Sequence, residues 1–179
     1  MERLATKPIL SSRVVLDEFI PHQVEEIPGD PDGERAEAAA YLQGCFNRFW
    51  ATLQLLEKVL PPQASSCSLL DLGTYPGQIT RAIQERFGCR VTGITAVTSP
   101  VFEQQMSRCG IPIRLHDVER DPLPFDSESF DLVLCLDLIE HLTYNVPYVL
   151  EESFRVLKPG GNLILTTPNL ASIWNRWNL

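Results

Sequence analysis

Asp71 stands inside an apolar run, Leu69-Leu70-Asp71-Leu72, and glycines follow at Gly73 and Gly77. A carboxylate in such a run needs hydrogen-bond partners. Two uses fit it: bracing the turn by accepting amide protons, or facing a cationic ligand directly or through water. Gly73, directly after the run, lets the backbone turn sharply and admits a ligand close to it. Gly77 opens a helix whose free amides favour a polar or anionic group. A second cluster, Asp137, Glu140 and His141, follows the apolar stretch Phe130–Leu136. His141 has two readings, fixing a cap or loop, or lining a ligand and serving as general base toward a substrate hydroxyl. The acidic segment 117–131 lacks the spacing and central glycine of a calcium loop, so it reads as a solvated connection and no metal is expected. Cys45, Cys67, Cys89, Cys109 and Cys135 form no CxxC pair, and their wide spacing suits reduced, mostly buried thiols in a cytoplasmic protein.

The elements that must position these residues alternate. Residues 1–32 show no sustained period, hold four prolines and read as an extended N-terminal arm. From Glu34 to Leu60 the residues Leu42, Cys45, Phe46, Phe49, Leu53, Leu56 and Leu60 recur at helical spacing, with Asp32 as cap and Pro61-Pro62 as stop. Strands are expected at Ser68–Leu72, Arg90–Ile94, Ile111–His116, Phe130–Leu136 and Asn162–Thr167. Helices are expected at Gly77–Phe87, from Ser99-Pro100 to Gly110, and at Val146–Leu157, where Pro159-Gly160-Gly161 provides the stop. A last short helix begins at Pro168-Asn169 and carries Ile173, Trp174 and Trp177 on one side. Strands alternating with helices predict an α/β fold, a three-layer sandwich with a mainly parallel sheet. Such sheets bind ligands at the carboxyl ends of their strands, where the strand order reverses.

Composition narrows the partners. The 179 residues are 44% hydrophobic and 21% charged, which suits one globular domain. A net charge of −8 disfavours non-specific binding to nucleic acid or anionic lipid. No apolar stretch approaches the roughly 20 residues that span a bilayer, so no membrane insertion is expected.

In order along the chain, Leu69–Gly77, Asp117-Val118, Leu123–Val133, Asp137–Leu142 and Leu157–Gly161 resemble the successive motifs of the class I S-adenosylmethionine-dependent methyltransferases. The resemblance covers roughly residues 65–169, with a leading helix at 33–60 inside a methyltransferase-like domain of 33–179. It implies a Rossmann-like fold and S-adenosylmethionine as cofactor. It places Asp71, Gly73, Thr74, Tyr75, Gly77, Thr95, Asp117, Val118, Leu136 and Asp137 around that cofactor, with His141 as the candidate catalytic residue. In that frame Asp117 accepts from the adenine amino group and the Val118 amide donates to a ring nitrogen. The cofactor's sulfonium also suits a negative protein better than a polyanionic dinucleotide does.

Three departures stand out. Tyr75 occupies a position where the family usually has glycine, and its ring either packs over the ligand or obstructs it. The second strand ends in Thr95 where the family has an acid that holds the ribose hydroxyls, which predicts weaker cofactor binding by about 1–3 kcal/mol. The family's last two strands are not found before Leu179, so the fifth strand's edge is expected bare. A bare edge invites pairing, through a homodimer or through the arm, unless the chain is a truncated product. The segment Thr166–Arg176 resembles a bacterial subgroup tied to sugar, polysaccharide or lipid-linked acceptors. The expected function is therefore methyl transfer to a small-molecule or glycan-type acceptor, at oxygen. The competing reading is a degenerate relative that acts by protein interaction with weak or no cofactor binding. A nicotinamide-dependent oxidoreductase would need a G-x-G-x-x-G turn, which the sequence does not contain.

Overall fold

The computed structural model describes residues 34–60 and 64–168, with side chains described from Gln43 onward. The arm 1–32, the cap Asp32, the side chain of Leu42, the Pro61-Pro62 stop and the closing helix with Trp174 and Trp177 lie outside the described residues. The chain divides into two compact units, Met1–Lys58 and Val59–Leu179.

The first unit contains helix α1, Glu34–Val59, up to its last residue. Cys45, Phe46, Phe49, Leu53 and Leu56 are buried along it. Their spacing puts them on one stripe, as the sequence pattern requires. Phe46 and Trp50, four residues apart, stack with ring centroids 6.4 Å apart.

In the second unit five parallel strands form one sheet in the order β3-β2-β1-β4-β5. They are β1 Ser68–Leu72, β2 Arg90–Thr95, β3 Ile113–Leu115, β4 Phe130–Leu136 and β5 Leu157–Thr166. Helix α2, Gln78–Phe87, joins β1 to β2; α3, Pro100–Arg108, joins β2 to β3; α4, Val146–Val156, joins β4 to β5. Right-handed crossovers carry α2 and α3 to one face of the sheet and α4 to the other, giving three layers. The expected α/β architecture therefore forms. The strand order reverses between β1 and β4, which makes their carboxyl ends the expected place for a ligand.

The central strands are almost wholly apolar because both faces are covered. Leu70, Leu72, Ile94 and Val133 have no measurable exposure and join Val149 and Val156 of α4 in one core cluster. Ser99 caps α3 by accepting from the Phe102 amide at 3.2 Å, and Asn145 caps α4 by accepting from the Tyr148 amide at 3.1 Å. Arg155 of α4 donates to the Leu123 and Phe125 carbonyls, and Glu152 accepts from the Leu123 amide, so the loop before β4 is held to that helix.

Two strands differ from the sequence pattern. β3 keeps only three residues, because at the sheet edge it has a single neighbour, β2. β5 starts at Leu157 rather than Asn162, and it runs through the proline and glycines expected to end the helix. Leu157 pairs with Phe130 and Asn162 with Leu132, so the extra residues bulge out of register. Gly160 takes φ +79° there, and a Cβ on Gly161 would come within 3.0 Å of the Asp131 carbonyl oxygen.

Candidate functional site

The turn after β1 is built from Asp71 to Gly77. The Gly73 and Thr74 amides both donate to the Ile94 carbonyl at 2.9 Å, which stitches the turn to the end of β2. The Thr74 hydroxyl, buried, donates to the Asp71 carbonyl oxygen at 2.8 Å. Gly93 makes room for this, since a Cβ there would lie 2.5 Å from Thr74 Oγ1. Gly73 (φ +80°) and Gly77 (φ +91°) both take the left-handed conformation that favours glycine. A Cβ on Gly73 would press on Leu138 beyond β4, at 3.1 Å. A Cβ on Gly77 would meet Met106 Cε of α3 at 2.7 Å. The left-handed φ, with the α3 side chains close by, favours glycine at 77 independently of any ligand.

The Asp71 side chain is buried, and its Oδ2 accepts from the Thr80 hydroxyl in the first turn of α2. Burial pushes the carboxyl up to about 7, and the bond from Thr80 pulls the other way. The brace is therefore made by Thr80. The signal for it was a hydroxyl in the first turn of the helix that returns beside β1.

The remaining candidates lie along the carboxyl ends of the strands. Tyr75 is 44% exposed, and its ring meets Phe102 of α3 edge-on at 5.2 Å. Thr95 is buried; its hydroxyl donates to the Val97 carbonyl at 2.8 Å and accepts from the Val97 amide at 3.2 Å. That hydroxyl closes its own turn, so it is not presented outward. After β3, Asp117 is exposed; its Oδ1 accepts from the Glu119 amide and its Oδ2 pairs with Arg120 Nε at 3.2 Å. Val118 is buried in the core cluster. Leu136 ends β4. Asp137 follows in the left-handed region (φ 49°), and its amide donates to Thr166 at the end of β5. The Thr166 hydroxyl in turn donates to Asp137 Oδ1 at 3.1 Å. His141 is exposed on the 3₁₀ turn Ile139–His141.

The structure thus brings Asp71, Gly73, Thr74 and Thr95 together at the β1–β2 end. Asp117 and Val118 follow beyond β3, with Leu136 at the end of β4 and Asp137 and His141 beyond it. Sequence reasoning missed Thr80, Gly93, Phe102 and Leu138. Gly93 carried a usable signal, because glycine inside a strand marks close approach of other chain segments. Burial raises the Cys135 thiol to about 12 and Cys89 to about 11, so neither offers a thiolate nucleophile near neutral pH. Among the described residues no cluster could hold a metal ion, and no helix is long and apolar enough to cross a membrane.

A glycine-cradled turn at the switch point of a β3-β2-β1-β4-β5 parallel sheet defines the Rossmann-like class of nucleoside-binding proteins. The methyltransferase domain model matches residues 70–165, and the chain belongs to that family, the class I S-adenosylmethionine-dependent methyltransferases. A ubiquinone biosynthesis O-methyltransferase of Pseudomonas fluorescens is 31% identical over 104 residues, covering 56% of this chain and 44% of that protein. A sterol 4-C-methyltransferase of Caenorhabditis elegans is 26% identical over 155 residues, covering 84% of this chain and 43% of that protein. The crystal structure of coclaurine N-methyltransferase bound to N-methylheliamine and S-adenosylhomocysteine superposes with a TM-score of 0.54 at 25% identity, covering 66% of this chain and 34% of that one. The chain spans less than half the length of the curated relatives it matches.

The residues present fit the family's cofactor. The amino end of α2 has no side-chain cap. Gln78 Oε1, at the first position of α2, is buried with no hydrogen-bond partner among the described residues. An unsatisfied buried oxygen beside uncapped amides suits a ligand that carries both donors and acceptors.

Proposed function

We propose that this chain binds S-adenosylmethionine across the carboxyl ends of β1, β2 and β4 and transfers its methyl group to the oxygen of a small-molecule or glycan-type acceptor. The observation that carries the reading is the Asp71–Gly77 turn stitched to Ile94, with Asp117-Val118 one strand further on. When bound, the cofactor supplies a methyl group on a sulfonium cation. Gly73, Thr74, Tyr75 and the amino end of α2 hold its amino-acid part. Asp71, beneath the turn, braces it through the Thr80 hydroxyl. Asp117 accepts from the adenine amino group and the Val118 amide donates to the ring. Leu136 and Asp137 wall the crevice beyond β4. There the exposed His141 would take the hydroxyl proton of the acceptor as the carbon–oxygen bond forms and the carbon–sulfur bond breaks, its electron pair leaving with the sulfur. Alignment of the acceptor oxygen with the methyl group does most of the work. Oxygen as the methylated atom is supported by the likeness to the ubiquinone biosynthesis enzyme.

Calorimetric titration with S-adenosylhomocysteine tests the reading. Micromolar binding, weakened in Asp117→Ala, is the expected result. Transfer of labelled methyl to hydroxyl-bearing acceptors, lowered in His141→Ala, tests the second half. A specific observation favours the alternative of a degenerate relative that acts by protein interaction: the Thr95 hydroxyl at the end of β2 is spent on Val97. A folded sample that binds no S-adenosylhomocysteine at millimolar concentration would sink the enzyme reading for this chain and turn the search toward a protein partner.

A further inference from the structure

The loop after β3 and the loop after β4 are joined by one side chain. Glu119 Oε1 accepts from the Tyr144 amide at 2.6 Å and from the Asn145 amide at 3.1 Å. Glu119 sits in the turn that Asp117 closes: its own amide donates to Asp117 Oδ1 at 3.0 Å. Arg120 strengthens the link from the same turn, pairing with Asp117 and lying 5.5 Å from the centre of the Tyr144 ring. Asn145 is the residue that caps α4, so the amides held by Glu119 also set where that helix begins. Tyr144 is 73% exposed. Burial of its ring therefore does not hold this stretch, and hydrogen bonds to a charged acceptor carry more of that task than neutral ones would. The Tyr144 amide, foremost, holds the Glu119 carboxyl below the ordinary carboxylate range.

One end of this link is the turn of Asp117-Val118. The other is the segment just after His141. We propose that Glu119 is a positioning residue that ties the cofactor-side turn after β3 to the acceptor-side loop after β4, so that filling the first orders the second. This rests on the methyltransferase reading above. A ligand that stills the 117–121 turn stills the acceptor of the Tyr144 and Asn145 amides as well, and the acceptor-side loop then orders at lower entropic cost.

Hydrogen exchange of the full chain, with and without S-adenosylhomocysteine, tests this in wild type, Glu119→Ala and Glu119→Gln. In wild type the ligand is expected to slow exchange at Tyr144 and Asn145. In Glu119→Ala basal exchange at these amides rises about tenfold, as loss of a bond to a charged group implies, and the ligand-dependent slowing disappears. Glu119→Gln, whose Oε1 can still accept, restores the slowing, which a merely destabilised loop would not show. Wild type that binds S-adenosylhomocysteine without any change at 143–145 overturns the coupling and leaves the function standing. So does Glu119→Ala that keeps the slowing. Wild type that does not bind the ligand overturns the function itself, and the coupling with it.

Discussion

Burial that raises the Asp71 carboxyl to about 7 makes this residue a source of pH-dependent stability. The unfolded carboxyl titrates near its ordinary value of 3.8, so between roughly pH 4 and 7 the folded chain holds a proton that the unfolded chain has released. The contribution of Asp71 to stability therefore falls as pH rises through that window and is lowest above 7. Asp71→Asn keeps an acceptor for Thr80 and escapes this loss. Thermal unfolding is expected to show the variant more stable than wild type at pH 8, with the gap closing toward pH 4. Gly77 makes a different prediction. Alanine there must hold φ +91° and place a methyl group 2.7 Å from Met106 Cε. Denaturant unfolding should show a loss of about 2 kcal/mol, from overpacking and backbone strain together.

Among the elements, the amino ends of β1, β4 and β5 meet at one carboxylate. Asp131 Oδ2 accepts from the Ser68 amide at 2.8 Å and the Ser68 hydroxyl at 2.7 Å, while Lys158 Nζ lies 2.9 Å from Oδ1. Burial pulls its pKa upward, but the Ser68 donors and the Lys158 ammonium together hold it down at about 2. For a depressed carboxyl the stability is fully present above about pH 4 and is lost as pH falls toward 2. Asp131→Ala should cost about 1–2 kcal/mol at pH 7, discounted because the group is partly exposed, and the difference should fade in urea titrations run at progressively lower pH. Helix α3 depends on its cap in the same local way. Ser99→Ala removes the acceptor of the Phe102 amide and should cost about 1 kcal/mol. Because Phe102 meets Tyr75 and lies close to Gly77, fraying there reaches the Asp71–Gly77 turn.

At the scale of the whole molecule the site is a seam between elements far apart in the chain, so a ligand that fills it should stabilise the fold. A ligand at a hundred times its dissociation constant adds about 2.7 kcal/mol if it binds only the folded state. S-adenosylhomocysteine is expected to raise the unfolding temperature of this chain in a concentration-dependent way. The same concentration of a nicotinamide dinucleotide is not. Its phosphates meet a chain of net charge −8 that lacks the dinucleotide glycine pattern.

Residue types and their periods alone determined most of the frame. The runs at 68–72 and 130–136 were legible as covered strands because they are short, largely apolar and bounded by turn residues. The glycine pair was legible because turn chemistry is local, whereas the Asp117-Val118 step was carried by the family resemblance alone. What stayed hidden was every choice made between elements distant in sequence. Packing of α3 on Gly77, the bond from Thr80 to Asp71, the local use of the Thr95 hydroxyl and the bulged start of β5 were settled by which surfaces the sheet brought together. The link from Glu119 to Tyr144 spans 25 residues and exists only because β3 and β4 leave the same end of one parallel sheet. Local sequence sets what each segment can form, and long-range packing decides which polar atoms are consumed by the fold and which remain for a ligand.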